Sequence, residues 1–173
     1  MTVGAVFAAT MAKPILLLSG IPGSGKSSFA RWLAKNKDYL HLDFDRGDLE
    51  KHGLHGPFDK FASSGSDQFI VELLKAHPPV CLDWGFPPRC LWIVRRLADA
   101  GVNVWWFDAE PEVAKKHFLS RGDVHETAFD EQIANIKASR GAIMELFGDR
   151  VISALNADGT HVSCEQIYAQ IFK

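Results

Sequence analysis

Residues 20–28 read Gly-Ile-Pro-Gly-Ser-Gly-Lys-Ser-Ser, a Gly-x-x-x-x-Gly-Lys-Ser pattern whose residue types suit the binding of a polyphosphate. Several negative charges are met at once by successive backbone N–H groups at a helix N-terminus, and Gly23 and Gly25 supply the turn without a side chain in the way. Lys26 is expected to reach the β and γ phosphates, and the Ser27 hydroxyl to ligate Mg2+. The nucleotide-binding set is therefore Gly20, Ile21, Pro22, Gly23, Ser24, Gly25, Lys26, Ser27 and Ser28. This is a Walker A sequence, and its flanks agree: Ile15-Leu-Leu-Leu18 runs into it as a strand would, and Phe29 to Lys35 leaves it with helical apolar spacing.

Carboxylates at the ends of two other apolar runs could complete the chemistry. Asp83 follows Val80-Cys-Leu82 as a Walker B carboxylate does and would hold Mg2+ or its water shell, although Pro87 and Pro88 also suit a turn aspartate there. Its neighbour is Trp84 rather than the glutamate that activates water in hydrolytic motors, which argues against an ATPase motor. A GTPase is disfavoured as well: no Asp-x-x-Gly follows the loop, and Asn36-Lys37-Asp38 is incomplete and too early. A kinase needs a carboxylate beside an acceptor hydroxyl, in line with the γ-phosphate. Asp43, Asp45 and Asp48, with Arg46 among them, follow Tyr39-Leu-His-Leu42. Only one of Asp43 and Asp45 is expected to face the nucleotide, and Asp45 is preferred because it also begins the next helix; capping that helix is its alternative role. Arg46 would bind an anionic acceptor or pair with Glu50 at i,i+4.

The elements that must position these residues alternate along the chain. After the loop helix comes the strand at 39–42, a short helix to about Lys51, a loop from His52 to Pro57, and a helix over Phe69–Leu74. The strand Val80–Leu82 leads to a helix near Leu91–Ala100 and an apolar strand Val102–Phe107, whose Trp105 and Trp106 should point to opposite faces. A helix from Pro111 to Arg121, a polar break at 122–127, one long helix from Phe129 to Phe147, a strand Val151–Ala154 and a helix Cys164–Phe172 complete the chain. Short strands separated by helices imply an α/β fold, a parallel sheet covered on both faces, with ligands bound beyond the carboxyl ends of the strands. Trp84 and Phe86 lie at that edge and could wall a base or sugar.

Bulk properties fit one such domain. The chain has 173 residues, 47% apolar and 23% charged, with a net charge of −2. No basic run forms a phosphate-tracking surface, so duplex nucleic acid is not an expected partner, whereas a short single-stranded end is compatible. Cys81, Cys90 and Cys164 are odd in number and widely spaced, which suits neither a disulfide framework nor a zinc knuckle and favours a reducing cytoplasm. Residues 1–12 are small and apolar without a basic start, read as a disordered tail or as sequence upstream of a natural start at Met11. The domain is assigned to residues 13–173.

Taken together, the loop Gly20–Ser28, the Asp-rich turn after the second strand, Leu82-Asp83-Trp-Gly-Phe86 and the stretch Glu112–Arg121 resemble the P-loop kinases grouped with polynucleotide kinase and zeta toxin. The resemblance covers nearly the whole chain from Lys13. It implies a single-domain three-layer sandwich with strand order 2-3-1-4-5, ATP and Mg2+, and phosphoryl transfer to a hydroxyl. It also implies that Asp45 contacts the acceptor, that a lid spans about 121–128, and that Arg121 reaches the ATP phosphates. The alternative for Arg121 is complementing the helix C-terminus. Asn156, after the last strand, falls where such kinases bring backbone to the base. Departures are His117 in place of a family arginine and Trp92 where another is common, leaving Arg89, Arg95 and Arg96 as candidates for the second. The expectation is a kinase moving the γ-phosphate of ATP to a hydroxyl of a small molecule, with lysine, aspartate and arginine at 26, 45 and 121 as its machinery. Asp43, Asp45, Arg46, Asp48, Trp84 and Arg89 would line the acceptor. A kinase of 5'-hydroxyl nucleic acid ends and an ATP-binding switch with slow hydrolysis are the alternatives.

Overall fold

The computed structural model describes residues 14–76, 78–122 and 125–173; the expected N-terminal tail and the centre of the expected lid lie outside the described residues. β1 (Leu16–Gly20) is buried along its whole length, as the branched run predicts, and occupies the middle of the sheet. It pairs in parallel with β3 (Val80–Asp83) on one side and β4 (Asn103–Asp108) on the other. β2 (Leu40–Asp43) and β5 (Val151–Ser153) form the edges, so the strand order is β2-β3-β1-β4-β5, as the resemblance implied.

Side-chain alternation divides the core in two. Leu16, Leu18, Cys81 and Trp105 pack with Phe29, Ala30 and Leu33 of α1 (Lys26–Lys37) and with Ile167 and Ile171 of α9 (Cys164–Ile171). Leu17, Leu82, Val104 and Trp106 face the opposite way, into the larger cluster. That cluster draws on α2 (Asp48–Lys51), α3 (His55–Ser64), α4 (Gln68–Lys75), α5 (Leu91–Asp99), α6 (Pro111–Leu119), α7 (Glu126–Ala138) and α8 (Arg140–Phe147). The two tryptophans thus point to opposite faces, as expected.

Two local expectations are corrected. The stretch from His52 is not all loop, because α3 begins at His55. Pro57 falls in its first turn, where a backbone donor would have no helical partner anyway, so proline is tolerated. The long helix expected from Phe129 to Phe147 is two helices, broken at Ser139. Ile133, Ile136 and Ile143 keep helical spacing across the break, all facing the core, and this concealed it in the sequence pattern. Among the described residues, no helix is long and apolar enough to cross a membrane.

Candidate functional site

The phosphate loop joins β1 to α1, whose N-terminus is capped by Gly25 with φ of 96°. Gly23 has φ of 80°, and a Cβ there would lie 2.2 Å from the Ala114 carbonyl oxygen, so α6 closes against the loop's backbone. Lys26 is 8% exposed, with Nζ 3.4 Å from the Ile21 carbonyl oxygen. Burial lowers the pKa of its ammonium; Asp83, Asp45 and Asp43 act the other way, and Arg121 adds to the lowering. Ser24 is fully buried, and its Oγ has no partner among the described residues. An orphaned hydroxyl, a buried ammonium and a glycine-lined turn at a helix N-terminus fit a polyphosphate.

Beyond this loop, parallel register brings Asp43 beside Asp83 and His41 beside Cys81. These four positions share the face that α1 covers, because residues two apart in a strand point the same way. Asp83 is 3% exposed; His41 Nε2 lies 3.3 Å from its Oδ2, and the Ser27 hydroxyl also hydrogen-bonds it. Burial pushes its carboxyl up, but His41, Lys26 and Ser27 outweigh this and hold it below the ordinary carboxylate range. One donor atom from each of His41, Asp43 and Asp83 lies within 4.8 Å of the others. The Ser27 and Asp83 pair expected for Mg2+ is therefore brought together, with a histidine that sequence reasoning missed. The available signal was parity: His41 stands two residues before Asp43 on the same strand.

The acidic turn is built on hydrogen bonds. β2 stops at Asp43, and Phe44–Arg46 forms a 3-10 turn capped by the Asp43 carboxylate, which accepts from the Asp45 N–H at 3.0 Å. Asp48 accepts from the Asp43 N–H at 3.0 Å and pairs with Lys51 at 2.6 Å, so it braces the turn. Arg46 pairs with Asp43 at 3.5 Å, not with Glu50. Asp43, turned to the face that α1 covers, and Asp45, in the turn that follows, both act electrostatically on Lys26. Asp45 is exposed, and its carboxyl is raised by partial burial and then by Asp43, with Lys26 and Arg121 pulling the other way.

Trp84 is not a free stacking wall. It is 9% exposed, its ring stacks on Phe44 at 4.9 Å, and Phe58 and Phe86 meet it edge-on, each at 5.7 Å. Phe44 covers a ring face that a base would stack on, and the side chain as a whole is buried. Among the arginines weighed for the lost cation, Arg95 pairs with Glu145 at 3.6 Å and Arg96 donates to the Phe61 carbonyl at 2.7 Å. Arg89 is exposed. Arg121 lies over the Phe118 ring at 5.5 Å and within electrostatic reach of Lys26 and Asp45.

Asn156 closes the turn after β5, donating to the Thr160 hydroxyl at 2.9 Å. That turn is clamped on α6 by His117, whose Nε2 lies 2.8 Å from the Gly159 carbonyl oxygen and whose ring centroid is 4.9 Å from that of His161. A Cβ on Gly25 would lie 3.4 Å from His161 Nδ1, so the turn also abuts the phosphate loop. A separate cavity of about 370 Å³ lies beyond β4 and β5, lined among others by Ile21, Asp108, Pro111, Ile136, Arg140 and Leu155. Lys26, Asp45 and Asp83 do not line it.

The sequence matches no family model and no curated protein. Solved structures do match the fold. A shikimate kinase from Bacteroides thetaiotaomicron aligns with a TM-score of 0.56 and 14% identity over 91% of this chain and 94% of its own. A gluconokinase from Sinorhizobium meliloti 1021 aligns with a TM-score of 0.53 and 18% identity, over 92% of this chain and 90% of its own. The protein TT1252 from Thermus thermophilus aligns at 0.52 with 15% identity. At these identities the likeness concerns the fold alone, which the chain shares with the shikimate kinase and the gluconokinase.

Proposed function

We propose that the protein is an ATP-dependent phosphotransferase that moves the γ-phosphate of ATP to a hydroxyl of a small-molecule acceptor, in the cytoplasm. The observation that carries this reading is the glycine-rich loop at the N-terminus of α1, with its buried Lys26 and partnerless Ser24 hydroxyl, and the exposed Asp45 carboxylate in the turn after β2, within electrostatic reach of Lys26 and Arg121. A base set opposite phosphate-binding cations is what transfer to a hydroxyl requires. The absence of a glutamate beside Asp83, where Trp84 is buried instead, supports transfer over hydrolysis. The resemblance of the motif order to polynucleotide kinase and zeta toxin supports a hydroxyl acceptor, and the likeness of the fold to a shikimate kinase and a gluconokinase supports a small one.

In this mechanism the loop amides and Lys26 hold the phosphates. Asp45 takes the acceptor's hydroxyl proton as its oxygen bonds to the γ-phosphorus and the bond to the ADP oxygen breaks. Arg121 offsets charge on the transferring group. Ser27 and Asp83 would hold Mg2+, which neutralises phosphate charge when bound.

ADP release from Mg-ATP, measured for wild type and Asp45→Asn across sugars, nucleosides, amino-acid alcohols, antibiotics and 5'-hydroxyl oligonucleotides, tests this. One small acceptor should raise turnover well above the water background, and the Asn variant should lose about 10²–10⁴-fold of that gain while keeping ATP affinity. Slow hydrolysis that no acceptor increases, alike in both proteins, would overturn it.

A further inference from the structure

Mg2+ sites in oxygen-rich surroundings need no imidazole, yet one stands in this cluster. His41 is partly buried on β2, on the face shared by Asp43 and Asp83, with Nε2 3.3 Å from Asp83 Oδ2. The two carboxylates, 8% and 3% exposed, are adjacent in register, and the Ser27 hydroxyl reaches the second. Buried like charges held side by side repel, and a cation between them relieves that repulsion. Nitrogen beside two carboxylate oxygens is a donor set suited to first-row transition ions, while Mg2+ prefers oxygen and keeps its waters.

We propose that His41, Asp43 and Asp83 form a mixed nitrogen and oxygen site that binds Zn2+ or Co2+ more tightly than Mg2+, and does so before any nucleotide is present. The proposal rests on the reading of Asp83 as a cation ligand and adds His41 and Asp43 to it. The neutral imidazole presents Nε2 as a ligand when its proton sits on Nδ1. In the metal-free state that nitrogen carries the ring proton and donates it to Asp83, so the ring is already held beside the carboxylate, and metal binding moves the proton to Nδ1 to free Nε2 as a ligand.

The test is titration of the full-length protein with CoCl2, without ATP or acceptor, followed by the visible absorption of bound Co2+ and by competition with ZnCl2 and MgCl2. Wild type should bind one Co2+ that Zn2+ displaces at near-stoichiometric amounts and Mg2+ only at much higher concentration. His41→Gln should weaken Co2+ by about tenfold or more and change Mg2+ affinity by less than about threefold. His161→Gln, which alters the histidine pair near the phosphate loop, should bind Co2+ as wild type does. Should His41→Gln fail to fold, pulsed EPR of Mn2+ bound to wild type decides: nitrogen hyperfine coupling from one imidazole supports the site, and oxygen-only coordination overturns it. Equal Co2+ affinity in wild type and His41→Gln, or Mg2+ binding as tight as Co2+, would also overturn it. Because nucleotide is absent throughout, an inactive protein can satisfy this test and an active kinase can fail it.

Discussion

Asp43 and Asp83 are register partners across β2 and β3, both buried, both turned toward the first turn of α1. That pairing sets the electrostatics of the whole edge. Lys26, itself 8% exposed, feels both of them, and Lys26 in turn favours the charged form of Asp83. Breaking such a cluster at one point leaves buried charge uncompensated.

Lys26→Met should therefore destabilise the metal-free protein by about 3 kcal/mol in urea unfolding. The double variant Lys26→Met/Asp83→Asn should recover part of that loss, since the stranded carboxylate is gone. If the two single effects simply add, the groups are not coupled in the way the burial implies.

Arg121 is exposed and contacts the Phe118 ring, so its side chain carries little of the fold. Arg121→Ala should leave the unfolding midpoint within error and lower kcat by about 10²–10³-fold once the acceptor is known. An unchanged kcat would reduce Arg121 to complementing its helix terminus.

Trp84→Ala removes the ring that Phe44, Phe58 and Phe86 pack against. A loss of about 3–5 kcal/mol in stability is expected, with ATP and acceptor affinity falling together. Acceptor affinity falling alone, at unchanged stability, would restore the stacking wall.

The histidine pair gives a pH dependence. Burial, and then His117, hold the pKa of His161 below its ordinary value of 6.5. Between the folded value and 6.5 the unfolded chain binds more protons, so stability should fall as pH drops through that window and level off below it. Urea midpoints measured from pH 7.5 to 5 should show this fall, and His161→Phe should flatten it. A wild-type midpoint that rises on acidification across the same window would refute the assignment.

Gly23→Ala puts a methyl group 2.2 Å from the Ala114 carbonyl oxygen at a φ of 80°. Either α6 or the loop must move, and nucleotide affinity should drop at least tenfold while secondary structure by circular dichroism persists. Retained affinity would mean that the loop and α6 separate without cost.

Much of this was legible in the chain because the information is local. A run of branched apolar residues, a glycine-rich loop and an amphipathic helix are contiguous, so β1, the phosphate loop and α1 followed from spacing alone. The alternation of strands and helices gave the parallel sheet, and the strand order followed from the resemblance. Boundaries were weaker where a pattern continues through a break, as at Ser139, or where glycine and proline sit in a helix's first turn, as at Gly56 and Pro57.

The sequence by itself determined the turn proposed to hold phosphate: backbone amides, Lys26 and Ser27 lie within a few residues of one another, and their geometry is a property of one turn. Only the tertiary structure decided which carboxylates meet. His41 and Asp83 are separated by 42 positions, and their contact exists because β2 and β3 pair in one register and not in one shifted by a residue, which would turn His41 and Asp43 to the other face. Trp84 was decided in the same way. Its position after Asp83 was plain in the chain, but its burial depends on Phe44 and Phe58, which arrive from α3 and the turn after β2. Long-range packing chooses between a surface and a core for such a residue, and nothing in its neighbours along the chain carries that choice.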